Sequence, residues 1–481
     1  MKTKNVSTPV GYLPDERPSF YKLLLYAIQQ VIVMFPATIT VALITGFQVS
    51  TTIFASGLAT LCFILITGKK IPLYYGSSFA YLTAISSMVA AEGTADQIAA
   101  FEATGILPAE LISQAQFGII MSGFVSIAAG LIVKFAGSKA VEKLLPASIT
   151  GSVAMIIGLT LAGNALGDAI PKLDEGASAH STEQVWWIVV ALVTLVSTVI
   201  YSRYLKGLLG QLPLLLGALT GCAVAAVVYF AGGINLFRAV PEDALSASIW
   251  KLGDGSIFAL PAFTLPKFSV AALVAIMPIA IATIPESTAH IYQLDIYVND
   301  VAKKKGKKEY GISSLLHKNL IGDGICDMIS GFVGGPAGTN YGENISTMAI
   351  TKVFSVPVLI AAAIIAMIVS CFTPLIKVIY GIPLSVIGGL EIYLFGAIAA
   401  QGIAIMIDKK VDMFDSKNIA VIASVMVIGI GGQYAFGGNI PLFGMNVPCI
   451  AGAAIFGIVL NLLLSIGKNK KENEDTEQAA E

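Results

Sequence analysis

The sequence predicts an all-α polytopic membrane protein, and three observations lead to that prediction. The chain has 481 residues, of which 56% are hydrophobic and only 12% are charged, whereas soluble domains are typically about 25% charged. Long apolar runs recur along nearly the whole chain. Two polar islands, Pro285–His290 and Thr339–Asn344, place carboxylates inside apolar stretches. Charges at membrane depth are expensive, so they usually mark a substrate or ion path.

About twelve segments reach the length of roughly 20 mainly apolar residues that a spanning helix needs. They lie at roughly 20–45, 50–67, 117–135, 146–166, 185–201, 210–232, 268–294, 315–334, 356–378, 385–406, 418–432 and 445–466. Two further segments, at roughly 71–91 and 337–352, are too short or too polar to meet this criterion. Counting both predicts about fourteen crossings, with an external loop at roughly 91–116.

Basic residues orient these segments. With the N-terminus inside, the cytoplasmic loops hold most of the Lys and Arg side chains, as the positive-inside rule requires. The residues concerned include Lys69, Lys134, Arg203, Lys303–Lys308, Lys352, Lys409 and Lys468. Both termini are therefore predicted to be cytoplasmic, and the tail at 467–481 is predicted to be disordered. The net charge of -1 indicates no nucleic-acid partner.

The two halves of the chain are predicted to form an inverted repeat. Seven crossings end near residue 232, and the interrupted segment is the third in each half. Because seven is odd, the second half enters the membrane from the opposite side. Paired interrupted segments of this kind point to a site near the bilayer midplane that is formed by two half-helices. The free N–H groups where such helices begin, after Gly76 and at Gly342, can bind carbonyl oxygens of a ligand.

Four ionisable residues are candidates for the site. Glu286 and Glu343 are interpreted as functional, because intramembrane acids usually are; the alternative is a structural acid paired with a base. His290 shares a helix face with Glu286, so it either relays a proton or only orients that helix. Asp323 is either functional or a simple helix-start residue. Glu391, which follows two glycines, is interpreted as a loop-edge or gate charge.

Tyr341-Gly342-Glu343-Asn344-Ile345, followed by Met348-Ala349-Ile350-Thr351-Lys352, resembles the signature of the nucleobase–ascorbate transporter family. The Glu343-Asn344 form resembles the uracil permease branch, since purine-transporting members typically have Gln-Asn there. Further matches are Gly76-Ser77-Ser78-Phe79-Ala80 and the Glu286–His290 pair. The chain departs from the family at Gln30, where His is common, and at Ser346, where Gly is usual.

The resemblance implies a specific architecture. A core domain would comprise 20–145 and 268–380, and a gate domain would comprise 146–232 and 381–466. Residues 1–19 would form a cytoplasmic segment and 233–267 an extracellular loop. The third and tenth segments would each contain a short strand, and the two strands would pair. The substrate site carried over consists of Glu286 and Glu343, the amides of Phe79 and Gly342, and Ala37, Tyr341 and Phe395 against the ring. Proton coupling would involve His290, Glu343 and Asp323.

The predicted function is a proton-coupled uracil symporter of the bacterial plasma membrane that works by alternating access. Its partners would be uracil, protons and the lipid bilayer, and a homodimer is compatible with the resemblance. The alternatives are a purine (xanthine or urate) symporter of the same family and an anion transporter of the same fold, although two acids would repel an anion. No phosphate loop, nucleophile elbow, cofactor motif or paired-cysteine metal site is present, so we predict no enzyme, no cofactor and no metal.

Overall fold

The computed structural model describes residues 11–137, 143–174, 176–207, 209–238, 257–442 and 445–466. The predicted tail, the first ten residues and much of the predicted loop at 233–267 lie outside the described residues. The part that is described is mostly helical, as the sequence predicts.

The first half of the chain contains nine helices and one strand within this described part. They are α1 (Phe20–Thr45), α2 (Val49–Ile66), β1 (Tyr75–Ser77), α3 (Leu82–Glu92), α4 (Ala95–Thr104), α5 (Ala109–Ala136), α6 (Ala147–Thr160), α7 (Ala162–Ala169), α8 (Thr182–Tyr204) and α9 (Pro213–Gly232). A 3-10 turn, Phe79–Tyr81, leads from β1 into α3. The short helix α4 lies within the predicted external loop and begins with a capping box formed by Thr94 and Gln97.

The second half follows a similar plan. Its elements are α10 (Val270–Ile276), α11 (Ala280–Lys304), α12 (Leu316–Val333), β2 (Gly338–Asn340), α13 (Gly342–Thr351), α14 (Val356–Ser370), α15 (Thr373–Tyr380), α16 (Leu384–Asp408), α17 (Ser416–Phe436), β3 (Asn439–Leu442), β4 (Met445–Pro448) and α18 (Cys449–Ser465). The strands β3 and β4 form a hairpin between α17 and α18.

Nine stretches of helix in the described residues are long and apolar enough to cross a membrane, and three shorter apolar helices accompany them. The chain is therefore a multi-pass membrane protein. The count of fourteen crossings stays a prediction. Several predicted boundaries are wrong. Helix α5 begins at Ala109 rather than near 117, because polar residues such as Glu110 and Gln114 lower the hydropathy of its first turns. Helix α11 continues to Lys304 rather than ending near 294, and the segment predicted from 445 begins with the strand β4. The predicted segment 356–378 is split before Pro374, which stands in the first turn of α15.

The strands β1 and β2 are far apart in sequence but pair antiparallel, with Tyr75 opposite Asn340 and Ser77 opposite Gly338. Every residue of both strands is buried. The structure thus contains the predicted strand in each interrupted segment and the predicted pairing between them. A short helix follows each strand, so the beginnings of two helices meet at one place inside the protein.

Small residues let neighbouring helices approach closely around this centre. A Cβ atom added to Gly123 on α5 would lie 2.4 Å from the carbonyl oxygen of Gly324 on α12. The pair Gly151 on α6 and Gly402 on α16 is similar, with a corresponding separation of 2.7 Å. Close backbone contact of this kind drives helix association where lipid removes the hydrophobic force between helices.

Candidate functional site

A cavity of about 190 Å³ lies where the helices after β1 and β2 begin. This is far more space than one water molecule needs. On one side its wall is polar and comes from the two strand–helix units and α11. On the other side it is mainly apolar and comes from α6 and α16. The lining residues are Ser77, Ser78, Phe79, Ala80, Thr150, Ala154, Ile157, Ala282, Pro285, Glu286, Thr339, Asn340, Tyr341, Gly342, Glu343, Leu394, Ala397, Ile398, Gln401 and Ile405.

Glu286 enters the cavity from α11, directly after Pro285. A proline inside a helix removes one backbone hydrogen bond and locally loosens the helix. Glu286 is half-buried, and its carboxyl interacts electrostatically with that of Glu343 across the cavity. A neutral ligand with N–H donors could bridge the two groups, because an ionised carboxylate offers only acceptors.

Glu343 lies in the first turn of α13. The helix begins abruptly because Tyr341 is extended, with φ -81° and ψ 117°, and gives no side-chain cap. The N–H of Gly342, the first helical residue, therefore has no intrahelical partner. A carboxylate in a first turn is favoured by the helix dipole. This helix end thus presents one donor and one acceptor to the cavity.

Tyr341 fixes the position of that helix start. Its backbone N–H donates to the Tyr74 carbonyl at 2.9 Å. Its hydroxyl donates to the Ser77 carbonyl at 3.0 Å and lies 2.9 Å from the Thr38 hydroxyl on α1. The ring covers Gly76, where an added Cβ would come within 2.3 Å of it. Both half-helix starts are therefore tied to each other and to α1.

A buried polar network lies behind the cavity. The Ser287 hydroxyl donates to the Asp323 carboxyl and accepts from Asn319 at 2.6 Å. The Asn340 amide also donates to Asp323, at 3.2 Å, and to the Asn319 side-chain oxygen, at 3.1 Å. Asp323 is thus bonded to the residue after Glu286 and to the last residue of β2. It is a buried residue within α12, so its interpretation as a simple helix-start residue is wrong.

Asp327 is a second buried acid, one turn after Asp323, which sequence reasoning missed. It accepts from the Tyr75 hydroxyl and, at 2.8 Å, from the backbone N–H of Gly338. It therefore holds one residue of each paired strand. The spacing of four residues between two acids in an apolar helix is a signal that could have identified it.

Five predicted site residues line the cavity together: Phe79, Glu286, Tyr341, Gly342 and Glu343.

The other four predicted residues lie outside the lining. His290 is buried behind Gly342, where an added Cβ would come within 2.9 Å of its Nε2 atom. Asp323 belongs to the network behind the cavity. Ala37 is buried in α1 next to Thr38, which contacts Tyr341. Phe395 is buried beside Val41 and Leu161 rather than facing the cavity.

Thr150 and Gln401 bring polar groups into the wall formed by α6 and α16, and sequence reasoning missed both. The interpretation of Glu391 as a loop-edge charge is wrong. It lies in the second turn of α16, is only 1% exposed, and its carboxyl interacts electrostatically with that of Asp168 at the end of α7. Nearby, the Trp187 indole donates to the Asp168 carbonyl at 2.8 Å.

Comparison with known proteins gives one consistent family. The profile of a permease family matches residues 21–438. The chain is 34% identical to the uracil permease of Bacillus caldolyticus over 95% of this chain and 96% of that protein. It is 33% identical to a putative pyrimidine permease of Escherichia coli K12, over 96% and 94% of the two chains. Identity to the uracil permease of the same strain is 32%, over 94% and 93%.

Solved structures share the fold at low sequence identity. The transmembrane domain of a cyanobacterial bicarbonate transporter aligns with a TM-score of 0.55 at 15% identity, covering 93% of this chain and 98% of that one. Murine Solute Carrier 26 family member A9, an anion transporter in the inward-facing state, aligns with a TM-score of 0.62 at 11% identity, covering 97% and 74%. These similarities concern the fold alone.

Proposed function

We propose that this chain, which belongs to the permease family of nucleobase–ascorbate transporters, carries uracil across the bacterial plasma membrane together with protons. Family membership makes the chain a transporter, as predicted, and not an enzyme. The observation that carries the uracil proposal is the cavity in which two glutamates and two half-helix starts meet. The names of the similar permeases agree with it.

The polar groups of the cavity complement uracil. Uracil is a flat, neutral ring with two N–H donors and two carbonyl acceptors. The Glu286 carboxylate would accept from a ring N–H, and the amides of Phe79 and Gly342 would donate to the carbonyls. Glu343 would take the second N–H, or donate to a carbonyl when protonated. Apolar side chains such as Ile157 and Leu394 would cover the ring faces.

The cavity lining supports the proposed division into core and gate. Its two glutamates and the polar residues beside the paired strands come from 20–145 and 268–380, the proposed core, whereas Thr150, Ile157, Leu394 and Gln401 come from 146–232 and 381–466, the proposed gate. A site between two bodies suits alternating access. We propose that the fourteen crossings form two inverted repeats with both termini in the cytoplasm. The antiparallel pairing of β1 and β2 supports this arrangement, because inverted segments meet head to head.

The buried acids supply a route for coupled protons. Two carboxyls that face one small neutral ligand resist ionising together, because like charges in a dry site repel strongly. We propose that one proton enters with uracil and resides on Glu343, with His290 and Asp323 behind it. His290 lies against Gly342, and Asn340, two residues before Gly342, hydrogen-bonds Asp323. A short polar path therefore runs from α13 to the network around Asp323.

An anion substrate, as the two structural neighbours carry, is not favoured here, because Glu286 and Glu343 would repel it. A purine substrate is the closer alternative, since it would use the same types of hydrogen bond. The glutamate at position 343, in place of the Gln typical of purine transporters, favours uracil.

The test is uptake of labelled uracil by cells that express the chain, with and without a proton gradient. Unlabelled uracil should compete well, whereas xanthine, urate and sulfate should compete poorly, and a protonophore should abolish accumulation. Glu102→Ala, a change on the exposed helix α4, is the control for expression. Strong competition by xanthine together with none by uracil would refute the proposal.

A further inference from the structure

The N-terminal segment Gly11–Glu16 forms a strap across the far end of α13, the helix whose first residues are Gly342 and Glu343. The Tyr12 N–H donates to the Lys352 carbonyl at 2.8 Å, and the Phe354 N–H donates to the Tyr12 carbonyl at 2.8 Å. The Val356 N–H donates to the Pro14 carbonyl at 3.1 Å. Tyr12 and Val353 form a parallel bridge. A short strand-like stretch of the strap thus pairs with the residues at the C-terminal end of α13.

The C-terminal end of α13 has an unfavourable backbone conformation. Lys352 ends α13 in the left-handed region, with φ 57° and ψ 30°. Residues other than glycine rarely adopt this conformation. Such conformations persist when surrounding contacts determine them. Here the Lys352 carbonyl is fixed by Tyr12, and the next residues, Val353 and Phe354, are almost fully buried. The strap therefore supplies part of the constraint that keeps α13 ending at this point.

Charged side chains fasten the strap to the loop after α11. Glu16 forms ion pairs with Lys305 and, at 3.0 Å, with Lys307, and it also accepts from the Leu13 N–H at 2.9 Å. Asp15 accepts from the Tyr310 hydroxyl, and its carboxyl lies 4.0 Å from Lys307. The Leu13 side chain is fully buried. The strap thus joins three separate parts of the chain: its own segment, the loop after α11, and the end of α13.

We infer that Glu16 is a positioning residue which, through the strap, holds α13 so that Gly342 and Glu343 face the cavity. Helix α13 has only ten residues, so a rigid displacement at Lys352 is transmitted over about 15 Å to its other end. Helix α11, which carries Glu286, ends at the lysine loop that Glu16 binds. The same strap therefore contacts the helices that carry both Glu286 and Glu343. Its effect on uracil binding rests on the function proposed above.

The ion pairs of Glu16 with Lys305 and Lys307 should persist across the pH range of transport. Burial alone would raise the pKa of Glu16, but hydrogen bonds from Lys305, the Leu13 amide and Lys307 lower it to about 2. Because the pKa of Glu16 is lowered, its ion pairs contribute their full stability at any pH above the usual carboxyl pKa. That contribution is lost as the pH falls towards 2. The neighbouring charges are Lys305, Lys307 and Asp15. Removing Glu16 should therefore weaken binding without shifting its pH profile.

The first experiment measures hydrogen exchange of the amides of 342–351 in the purified, full-length protein without ligand. Glu16→Gln and Lys305→Met should each accelerate exchange there by about threefold to fivefold, as for loss of an ion pair. The double variant should be little faster than Glu16→Gln alone, since both substitutions break the ion pair between Glu16 and Lys305. Glu110→Gln is the matched control, because it breaks another Lys–Glu pair, with Lys267, far from α13. Unchanged exchange in Glu16→Gln would overturn the inference.

The second experiment measures uracil binding to the same variants by titration calorimetry. Glu16→Gln should raise Kd by about threefold to fivefold with an unchanged pH profile, whereas Glu110→Gln should bind like the wild type. Faster exchange with unchanged Kd would show that the strap does not position the site. A wild-type protein that fails to bind uracil would refute the proposed function instead, and the exchange experiment would still decide whether the strap holds α13.

Discussion

The two half-helices that meet at the cavity share one frame but differ in chemistry. Each half-helix follows a three-residue strand. We call β1 with the helix after it the first unit, and β2 with α13 the second unit. In each strand a glycine is covered by a tyrosine of the other unit: Tyr341 lies over Gly76, and Tyr75 lies over Gly338. The first unit offers Ser77, Ser78 and Phe79, which are neutral. The second unit offers Gly342 and the acid Glu343. The pairing of β1 with β2 places the two helix starts, and the second unit supplies the charge.

The capping of the two helices shows the same difference. In the first unit the Ser78 hydroxyl accepts from the Ala80 N–H at 3.3 Å, so one free donor is already satisfied. In the second unit Tyr341 provides no side-chain cap, because its hydroxyl reaches Ser77 and Thr38 instead. An uncapped helix start needs another partner for its free N–H groups. The second unit is therefore the better prepared to bind ligand, and four predictions test this asymmetry.

The largest effect is expected for Glu286→Ala, since Glu286 faces both units from α11. Loss of the carboxylate leaves a uracil N–H without an acceptor in a dry site, which costs about 1–3 kcal/mol or more. We expect Kd to rise by about 100-fold, measured by titration calorimetry on the purified protein. Glu102→Ala should bind normally. Near-normal binding by Glu286→Ala would show that α13 alone recognises the ring.

Sequence reasoning identified these groups because each carries a local signal. Apolar runs predict the helices, polar interruptions predict the acids Glu286 and Glu343, and the resemblance to a transporter family implies β1 and β2. It could not identify Thr150 and Gln401, because their approach to the cavity depends on how α6 and α16 pack. The ion pair between Glu16 and Lys305, far apart in sequence, has no local signature either. What a segment does alone was predictable from its residues, whereas contacts between distant segments were predictable only where the resemblance implied them, as for β1 and β2.

The second prediction concerns Glu343→Gln, which makes the second unit as uncharged as the first. The amide mimics the protonated acid in shape and can still hydrogen-bond uracil. Binding should therefore weaken by no more than about tenfold, while accumulation driven by the proton gradient should be lost. The measurements are binding by calorimetry and uptake between about pH 5.5 and 8, the range in which His also titrates. A variant that still concentrates uracil with unchanged pH dependence would place the proton elsewhere.

The third prediction isolates the Gly342 N–H. Gly342→Pro removes this donor, although proline fits the first position of a helix and the extended Tyr341 before it. Gly342→Ala keeps the donor and introduces a Cβ at the same place, 2.9 Å from His290. The alanine variant is thus the control for crowding. We expect the proline variant to bind uracil about fivefold to tenfold more weakly than the alanine variant. Equal binding by the two variants would show that the Gly342 N–H does not bind uracil.

The smallest effect is expected for Phe79→Tyr in the first unit. If Phe79 contributes mainly its backbone N–H, a substitution that preserves the backbone and the ring should change little. The ring packs beside Val41 and Leu82, and tyrosine retains that contact. We expect uracil Kd to change by less than about twofold, because no hydrogen bond to the ligand is lost. The comparison with Gly342→Pro is decisive: a loss of similar size in both variants would mean that the Phe79 ring recognises uracil directly, and that the two units contribute to binding in different ways.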